Sequence, residues 1–230
     1  MSSENPLWGA PRIQAGLRLL GVEVAERTVA KYRIKQTKPP SQTWKTFLSN
    51  HSKQIAAIDF FTVPMINFRN LYCFIVLLHD RREVIHFNVT TNPTAQLTAQ
   101  QIINAFPYDE APKYLLRDCD SIYGGYFQNR IEGMSIEEVI TAPRSPFQNP
   151  YLERLIGSIR RECLDHLIII NEDHLRRVLQ GYLDYYQNSR PHQSLDRNSP
   201  NPREIEPPSK GKIIVIPQVG GLHRLYRRAA

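Results

Sequence analysis

Cysteine is scarce in this 230-residue chain. Only Cys73, Cys119 and Cys163 occur, odd in number and widely spaced. That excludes a disulfide framework and suits a reducing compartment. No run of about 18 apolar residues exists, so a membrane-spanning helix is not expected. The opening "MSSENPLWGAPR" lacks the apolar centre of a secretion signal. No G-x-x-x-x-G-K-[ST] loop occurs, which argues against a nucleotide cofactor. No G-x-S-x-G elbow occurs, which argues against a serine hydrolase. Cys163 and His166 form a C-x-x-H pair, but no second pair completes four zinc ligands, and His79 and His86 read as structural.

What the chain has in excess is positive charge, +7 overall. It is unevenly spread: +5 over residues 1–50, −2 over 51–150 and +4 over 151–230. Basic ends around a mildly acidic middle suit a polyanionic partner, because fields and counterion release both favour phosphates.

Apolar periodicity divides the chain. "APRIQAGLRLL" places Ile13, Leu17 and Leu20 at helical spacing, and "AERTVAKY" resumes after "GVEV" with Val29 and Tyr32. Two short helices around a glycine turn fit a helix-turn-helix or a plain hairpin. Arg27, Lys31 and Arg33 would face outward on the second helix. The segment Lys35–His51 is polar and proline-bearing and reads as a linker, with Trp44 and Phe47 docking on a neighbour. Three strand-like runs follow, "QIAAIDFFTVP", "NLYCFIVLLHD" and "VIHFNVT". Then come a helix at "TAQLTAQQIINAF", a strand at "KYLLRD", a helix at "YFQNRIEGM", a strand at "IEEVIT", and helices near 149–167 and 172–188. That order predicts an α/β sheet layered by helices. A basic, aromatic tail closes the chain, with one strand run and a Gly-Gly turn that suit a hairpin.

Three acids stand out. Asp59 interrupts an apolar strand, where an unpaired carboxylate is costly unless it is neutralised or used. Asp118 follows a short strand, at the sheet end where open α/β sheets place their sites, with Asp120 two residues on. Glu153 follows Pro150 near a helix start, on the border of an apolar stripe of Leu152, Ile156, Ile159, Cys163 and Leu167. Arg154 and Arg161 point to another side, and Arg160 lies above Glu153. Three carboxylates from separate elements suit hard dications, and two such ions suit phosphodiester chemistry.

From Ile55 to about Pro200 these residues resemble the integrase catalytic core of bacterial insertion-sequence transposases and retroviral integrases, of ribonuclease-H-like fold. The first family acid sits in the first strand, like Asp59 in "AIDFFTVP". The second follows the fourth strand, like Asp118 in "RDCDSIYG". The third opens a helix after a Pro/Gln/Asn-rich loop, like Glu153 in "SPFQNPYLERLIGSIRRE". The 35-residue separation of Asp118 and Glu153 suits the family gap, while Asp120 stands where the family usually has glycine. Downstream, Tyr186, Asn188, Arg190, Pro191, His192 and Leu195 resemble a Tyr-x-Asn-x-x-Arg-Pro-His-x-x-Leu signature, with a shortened tyrosine-to-arginine spacing.

The resemblance implies a five-stranded mixed sheet with flanking helices, preceded by a small helix-turn-helix. It divides the chain into a helix-turn-helix segment over 1–36, expected to be truncated, a linker over 37–52, a core over 53–200 and a basic tail over 201–230. It implies a transposase or integrase in which Asp59, Asp118 and Glu153 bind two Mg²⁺ or Mn²⁺ ions for DNA cleavage and strand transfer. Asp120 would assist or replace Asp118. Arg27, Lys31, Arg33, Arg154, Arg160 and Arg161 would hold DNA, element ends and target alike. A homo-oligomer in the bacterial cytoplasm, nucleoid-associated when on DNA, is expected. The alternatives are a remnant that only binds DNA and a nuclease that cuts RNA–DNA hybrids.

Overall fold

The run from Ile55 becomes the longest strand, β1 (Ile55–Pro64), whose first four residues are buried. Antiparallel to it lies β2 (Asn70–Leu78), and antiparallel to β2 lies β3 (Glu83–Thr90), with a bulge at Val76/Leu77. On the other side β1 pairs parallel with β4 (Tyr114–Arg117), and β4 pairs parallel with β5 (Glu137–Ile140). The sheet order is β3-β2-β1-β4-β5. This is the expected mixed sheet of five strands. A computed structural model describes residues 8–33, 43–107, 110–142, 145 and 148–229.

Contacts divide the chain into two compact units, up to Thr43 and from Trp44 onward. In the first, α1 (Ala10–Leu19) and α2 (Glu26–Tyr32) are joined by a turn in which Gly21 takes a φ of 78°, a conformation side chains disfavour. Ala10, Ile13 and Val29 are buried, with Trp8, Leu17 and Val24 against them. Leu20 and Tyr32, expected on the apolar face, are 68% and 73% exposed. Both stand at or just past a helix end, beyond reach of so small a core.

In the second unit, helices cover both sheet faces. One face packs on α6 (Pro150–Glu162) and α7 (Glu172–Asn188), the other on α4 (Ala95–Ala105) and α5 (Gly125–Gly133). Thr94 caps α4 and Asn171 caps α7, each accepting a backbone N–H. Residues 44–50, expected within a linker, form the helix α3 (Trp44–Asn50), while 37–42 lie outside the described residues. Trp44 and Phe47 do dock. Phe47 meets Tyr114 edge-on at 5.2 Å, and the Trp44 Nε1–H donates to the Gln148 carbonyl at 3.0 Å. The tail is the hairpin β6 (Lys212–Gln218) and β7 (His223–Ala229). His79 is buried against Tyr151, and His86 bonds the Gln101 side chain at 2.8 Å.

Phe127 is fully buried between α5 and the sheet, whereas Phe68, in the β1–β2 turn, is 94% exposed. Phe127→Ala is expected to cost about 3–5 kcal/mol and Phe68→Ala under about 0.5 kcal/mol, read by urea denaturation.

Candidate active site

The parallel register decides where the first two acids meet. Ile55, Ala56 and Ala57 pair with Tyr114, Leu115 and Leu116. Two further steps bring Asp59 level with Asp118, just beyond the last residue of β4. Partners in register share a face, and Asp59 alternates with Ala57 and Phe61. Those two, with Tyr114 and Leu116, belong to the core under α6 and α7. By this register Asp59 would share the face that α6 covers, and Asp118, past the end of β4, would follow it if the register continued.

Glu153 sits in the first turn of α6, exposed, with its N–H bonded to the Asn149 carbonyl at 3.1 Å. Pro150 opens the helix, and Leu152, Leu155, Ile156 and Ile159 bury its inner face. The buried stripe is wider than expected at Leu155 and shorter at its end. The helix stops at Glu162, and Leu167 lies past it, 38% exposed. Gln148, two residues before Pro150, is tied at two points: its carbonyl accepts the Trp44 indole N–H, and its Oε1 accepts the Ala142 N–H at 2.6 Å. Pro143, Arg144, Pro146 and Phe147 of that approach lie outside the described residues.

The electrostatics tie the acids together. Burial, then the Asp118 charge, lift the Asp59 carboxyl to about 7; the Phe60 N–H, bonded at 2.7 Å, opposes this, and Glu153 and Asp120 add to it. Asp118 is raised as well, by burial and by Asp120, against the Asp120 N–H that it accepts at 3.3 Å. The Asp120 Oδ1 accepts the Ile122 N–H at 2.9 Å, the Asx-turn arrangement, so this acid shapes the loop. The buried Tyr123 hydroxyl feels Asp59, Asp118 and Asp120 and has no hydrogen-bond partner among the described residues. Among the described residues no three His, Cys, Asp or Glu side chains are grouped closely enough to hold one ion. The acids are thus in electrostatic reach without forming a ready cage. Mutual repulsion opposes tighter closure, and a divalent cation would relieve it. The donor set, carboxylates alone, fits a hard dication.

Two supports were not foreseen in the sequence. Arg117 is buried, paired with Glu138 and donating to the Asp118 carbonyl at 2.8 Å, with its guanidinium 5.1 Å from the Tyr123 ring. It fixes the end of β4, and its place just before Asp118 was the available signal. At the far end of α6, Arg190 grips Glu162 through two bonds of 2.9 and 2.6 Å, and Tyr182 donates to the same carboxylate at 2.9 Å. Burial pushes Glu162 up, but these donors outweigh it and leave the carboxyl below its ordinary value. Tyr186 and His192 of the signature pack edge-on at 4.6 Å. The signature thus joins α7 to α6 and stands apart from the acids.

The basic candidates are dispersed. Arg154 and Arg161 are exposed on α6. Arg160 turns to β1, donating to the Thr62 carbonyl at 3.3 Å and lying 5.6 Å from the Phe61 ring. In the first unit, Arg27 is exposed, Lys31 lies 5.3 Å from the Tyr32 ring, and Arg33 donates to the Trp8 carbonyl at 3.4 Å.

A mixed five-stranded sheet flanked by helices is the ribonuclease-H-like fold of integrase and transposase catalytic domains. The likeness to solved structures is 0.52 in TM-score to a chain of the simian T-cell lymphotropic virus intasome, at 14% identity over 93% of this chain and 82% of that one. It is also 0.52 to the catalytic domain of Mos1 mariner transposase, at 16% identity over 61% of this chain and 76% of that one. Within that class, residues 134–200 match the integrase core domain family model, a span that includes Glu153 and neither aspartate. The chain is similar to an insertion element IS476 protein of Xanthomonas euvesicatoria, 26% identical over 77% of this chain and 51% of that protein. It is also similar to an insertion element IS407 protein of Burkholderia multivorans, 25% identical over 64% of this chain and 54% of that protein. It spans about half the length of these curated relatives. No helix among the described residues is long and apolar enough to cross a membrane.

Asp59 is held near 7 in the fold against 3.8 in an unfolded chain. The folded state therefore keeps a proton that the unfolded state loses, and stability falls as pH rises from about 4 to 7. Asp59→Asn removes this loss. In chelator at pH 8 it is expected to raise stability by about 1–3 kcal/mol, allowing for partial solvent screening, with little gain at pH 4. Paired urea titrations at the two pH values read the difference.

Proposed function

We propose that this chain is a metal-dependent polynucleotidyl transferase of the transposase/integrase type, acting on DNA. The observation that carries the reading is the half-buried Asp59, whose charge is opposed by Asp118 and Glu153 brought in from two other elements. Repelling acids from a strand interior, a strand end and a helix start suit residues kept for a cation. Asp59, Asp118 and Glu153 would hold two Mg²⁺ or Mn²⁺ ions, which when bound supply activation of the attacking oxygen and relief of charge on the leaving one. Mos1 transposase, solved with raltegravir and Mg, shares the fold at a TM-score of 0.53. Asp120, committed to its turn, would assist only indirectly.

The reaction conserves bonds. A water oxygen bonds to phosphorus at the element end as the DNA 3′-oxygen leaves and takes a proton. The freed 3′-hydroxyl then bonds to a target phosphorus as another 3′-oxygen leaves, in line and without a covalent enzyme intermediate. One P–O bond forms for each broken, so no nucleotide fuel is required. The chain's own part is to place acids and cations. Arg154 and Arg161 would hold phosphates beside Glu153. Arg160 would do so less, being turned to β1. The helix pair before Thr43, with Arg27, Lys31 and Arg33, would dock a duplex as a helix-turn-helix. Two DNA ends call for more than one copy, working in the cytoplasm where the DNA lies.

One other reading is a chain that binds DNA without cutting it, since among the described residues no three acids are grouped closely enough to hold one ion. Nicking of a labelled duplex separates the two. The wild type is expected to cut only with Mg²⁺ or Mn²⁺, and Asp59→Asn, Asp118→Asn or Glu153→Gln to lose about 10³-fold in rate while still binding DNA. Asp120→Asn should lose far less. Cutting that survives chelator would refute the catalytic reading; a wild type that binds and never cuts would establish the other.

A further inference from the structure

The C-terminal hairpin has two unlike faces. Its register pairs Ile213 with Arg228, Val215 with Tyr226 and Pro217 with Arg224 on one face. The other face carries Ile214 with Arg227, Ile216 with Leu225 and Gln218 with His223. This second face is anchored. The His223 ring stacks on Tyr185 at 4.5 Å and 7°, and its Nε2 bonds the Glu162 carbonyl at 2.9 Å. Glu206 holds the outer end, accepting Arg227 Nε at 3.0 Å and the Arg228 N–H at 2.6 Å. The first face is largely open: Ile213, Val215 and Tyr226 are 61%, 53% and 61% exposed, beside exposed Arg224 and Pro217, with Arg203, Glu204 and Glu206 bordering a pocket at the Ile213–Arg228 end.

Charge chooses the occupant. From Lys210 to Arg228 the chain carries five cations and no acid; Arg224 and Arg228 lie on this face either side of Tyr226, while Lys212 and Arg227 lie on the anchored one. Glu204 and Glu206 border the face at its outer end, where Arg203, Arg227 and Arg228 surround them. A second copy, itself at +7, would be repelled from such a surface. A polyanion would not. Dimensions agree: a two-stranded ribbon fits a major groove about 12 Å wide, and seven residues per strand reach about 23 Å, roughly seven base pairs. Cations alternating with tyrosine and branched apolar residues can meet phosphates and sugar or base edges together. We propose that the exposed face of β6–β7 is a β-ribbon docking surface for duplex DNA. It is anchored to the end of the helix that begins with Glu153, nine residues or about 13 Å along the axis from that acid. A duplex seated on the ribbon is thereby registered against α6 by the Glu162, Tyr185 and His223 contacts. The inference rests on the proposed function only for the identity of the partner.

The test uses the full chain and a fluorescent 30-base-pair duplex in chelator, where binding is read without cutting. Arg224→Gln/Tyr226→Ala/Arg228→Gln, all on the exposed face, is compared with a charge-matched Lys45→Gln/Lys53→Gln control, both first checked by thermal melting and by mass in solution. The ribbon variant is expected to bind at least about 10-fold more weakly at 0.1 M salt, with a log–log salt slope shallower by about 2, and the control to change neither. Equal losses in both variants, or an unchanged slope in the ribbon variant, would overturn the proposal. So would a ribbon variant that loses self-association and keeps its DNA affinity, since the face would then join copies. If the wild type never cuts DNA with any divalent ion yet the ribbon variant still binds weakly, the catalytic reading fails and the ribbon stands.

Discussion

The parallel pairing of β1 with β4 is the constraint on which the rest depends. It is short, with three register partners. Yet, carried two steps beyond those partners, it would set two residues 59 positions apart on one level and one face. A slip of one residue would turn one carboxylate to the opposite side of the sheet, because side chains alternate along a strand. The register is held by packing: Ile55 to Ile58 and Tyr114 to Arg117 are all buried, so a slip would force both covered faces to repack. Arg117 adds a second lock. A buried guanidinium must keep its acid partner, and Glu138 on β5 supplies it.

Helix α6 then carries the third acid into place, and it is held at both ends. At its start, the Trp44 indole and the Gln148 amide fix the approach. At its finish, Glu162 is gripped by Arg190 and Tyr182, and its carbonyl by His223. A helix pinned only by its apolar stripe could rotate or slide between ridge packings. One pinned by directional bonds at its terminus cannot do so without breaking them. This gives the signature around Arg190 a physical role. It positions the element that carries Glu153, and the same contacts seat the C-terminal hairpin.

Much of this was legible in the residues. Continuous apolar runs gave the strands, because strands covered on both faces must be apolar throughout. An aspartate inside such a run, and a glutamate just after a helix-opening proline, marked themselves against that background. Less legible was whatever depends on distant partners. Trp44–Asn50 looks like polar linker because its few apolar residues dock on a neighbour instead of forming a stripe. Leu167 continues the spacing of α6, but the helix has already ended at Glu162, where the backbone leaves helical geometry at Cys163. Arg160 reads as an exposed cation among others, and only the fold reveals the Thr62 carbonyl and the Phe61 ring beside it. The Arg190–Glu162 pair links residues 28 apart, which spacing alone does not suggest.

The acid cluster and its surroundings pull in opposite directions, and that tension has a consequence. Asp59 is raised by burial and by the acids around it, so without a cation the fold favours a proton there more than a free carboxyl would. A protonated carboxyl is a poor ligand for a hard cation, and binding must therefore displace that proton. Cation affinity at such a site would rise with pH over the range in which the stability of the metal-free protein declines. The two effects compensate: a bound dication would return the stability that ionisation removes. A half-buried carboxylate among like charges would be tolerable if the working state held a cation, and on the proposed function that would account for an aspartate which packing alone would exclude.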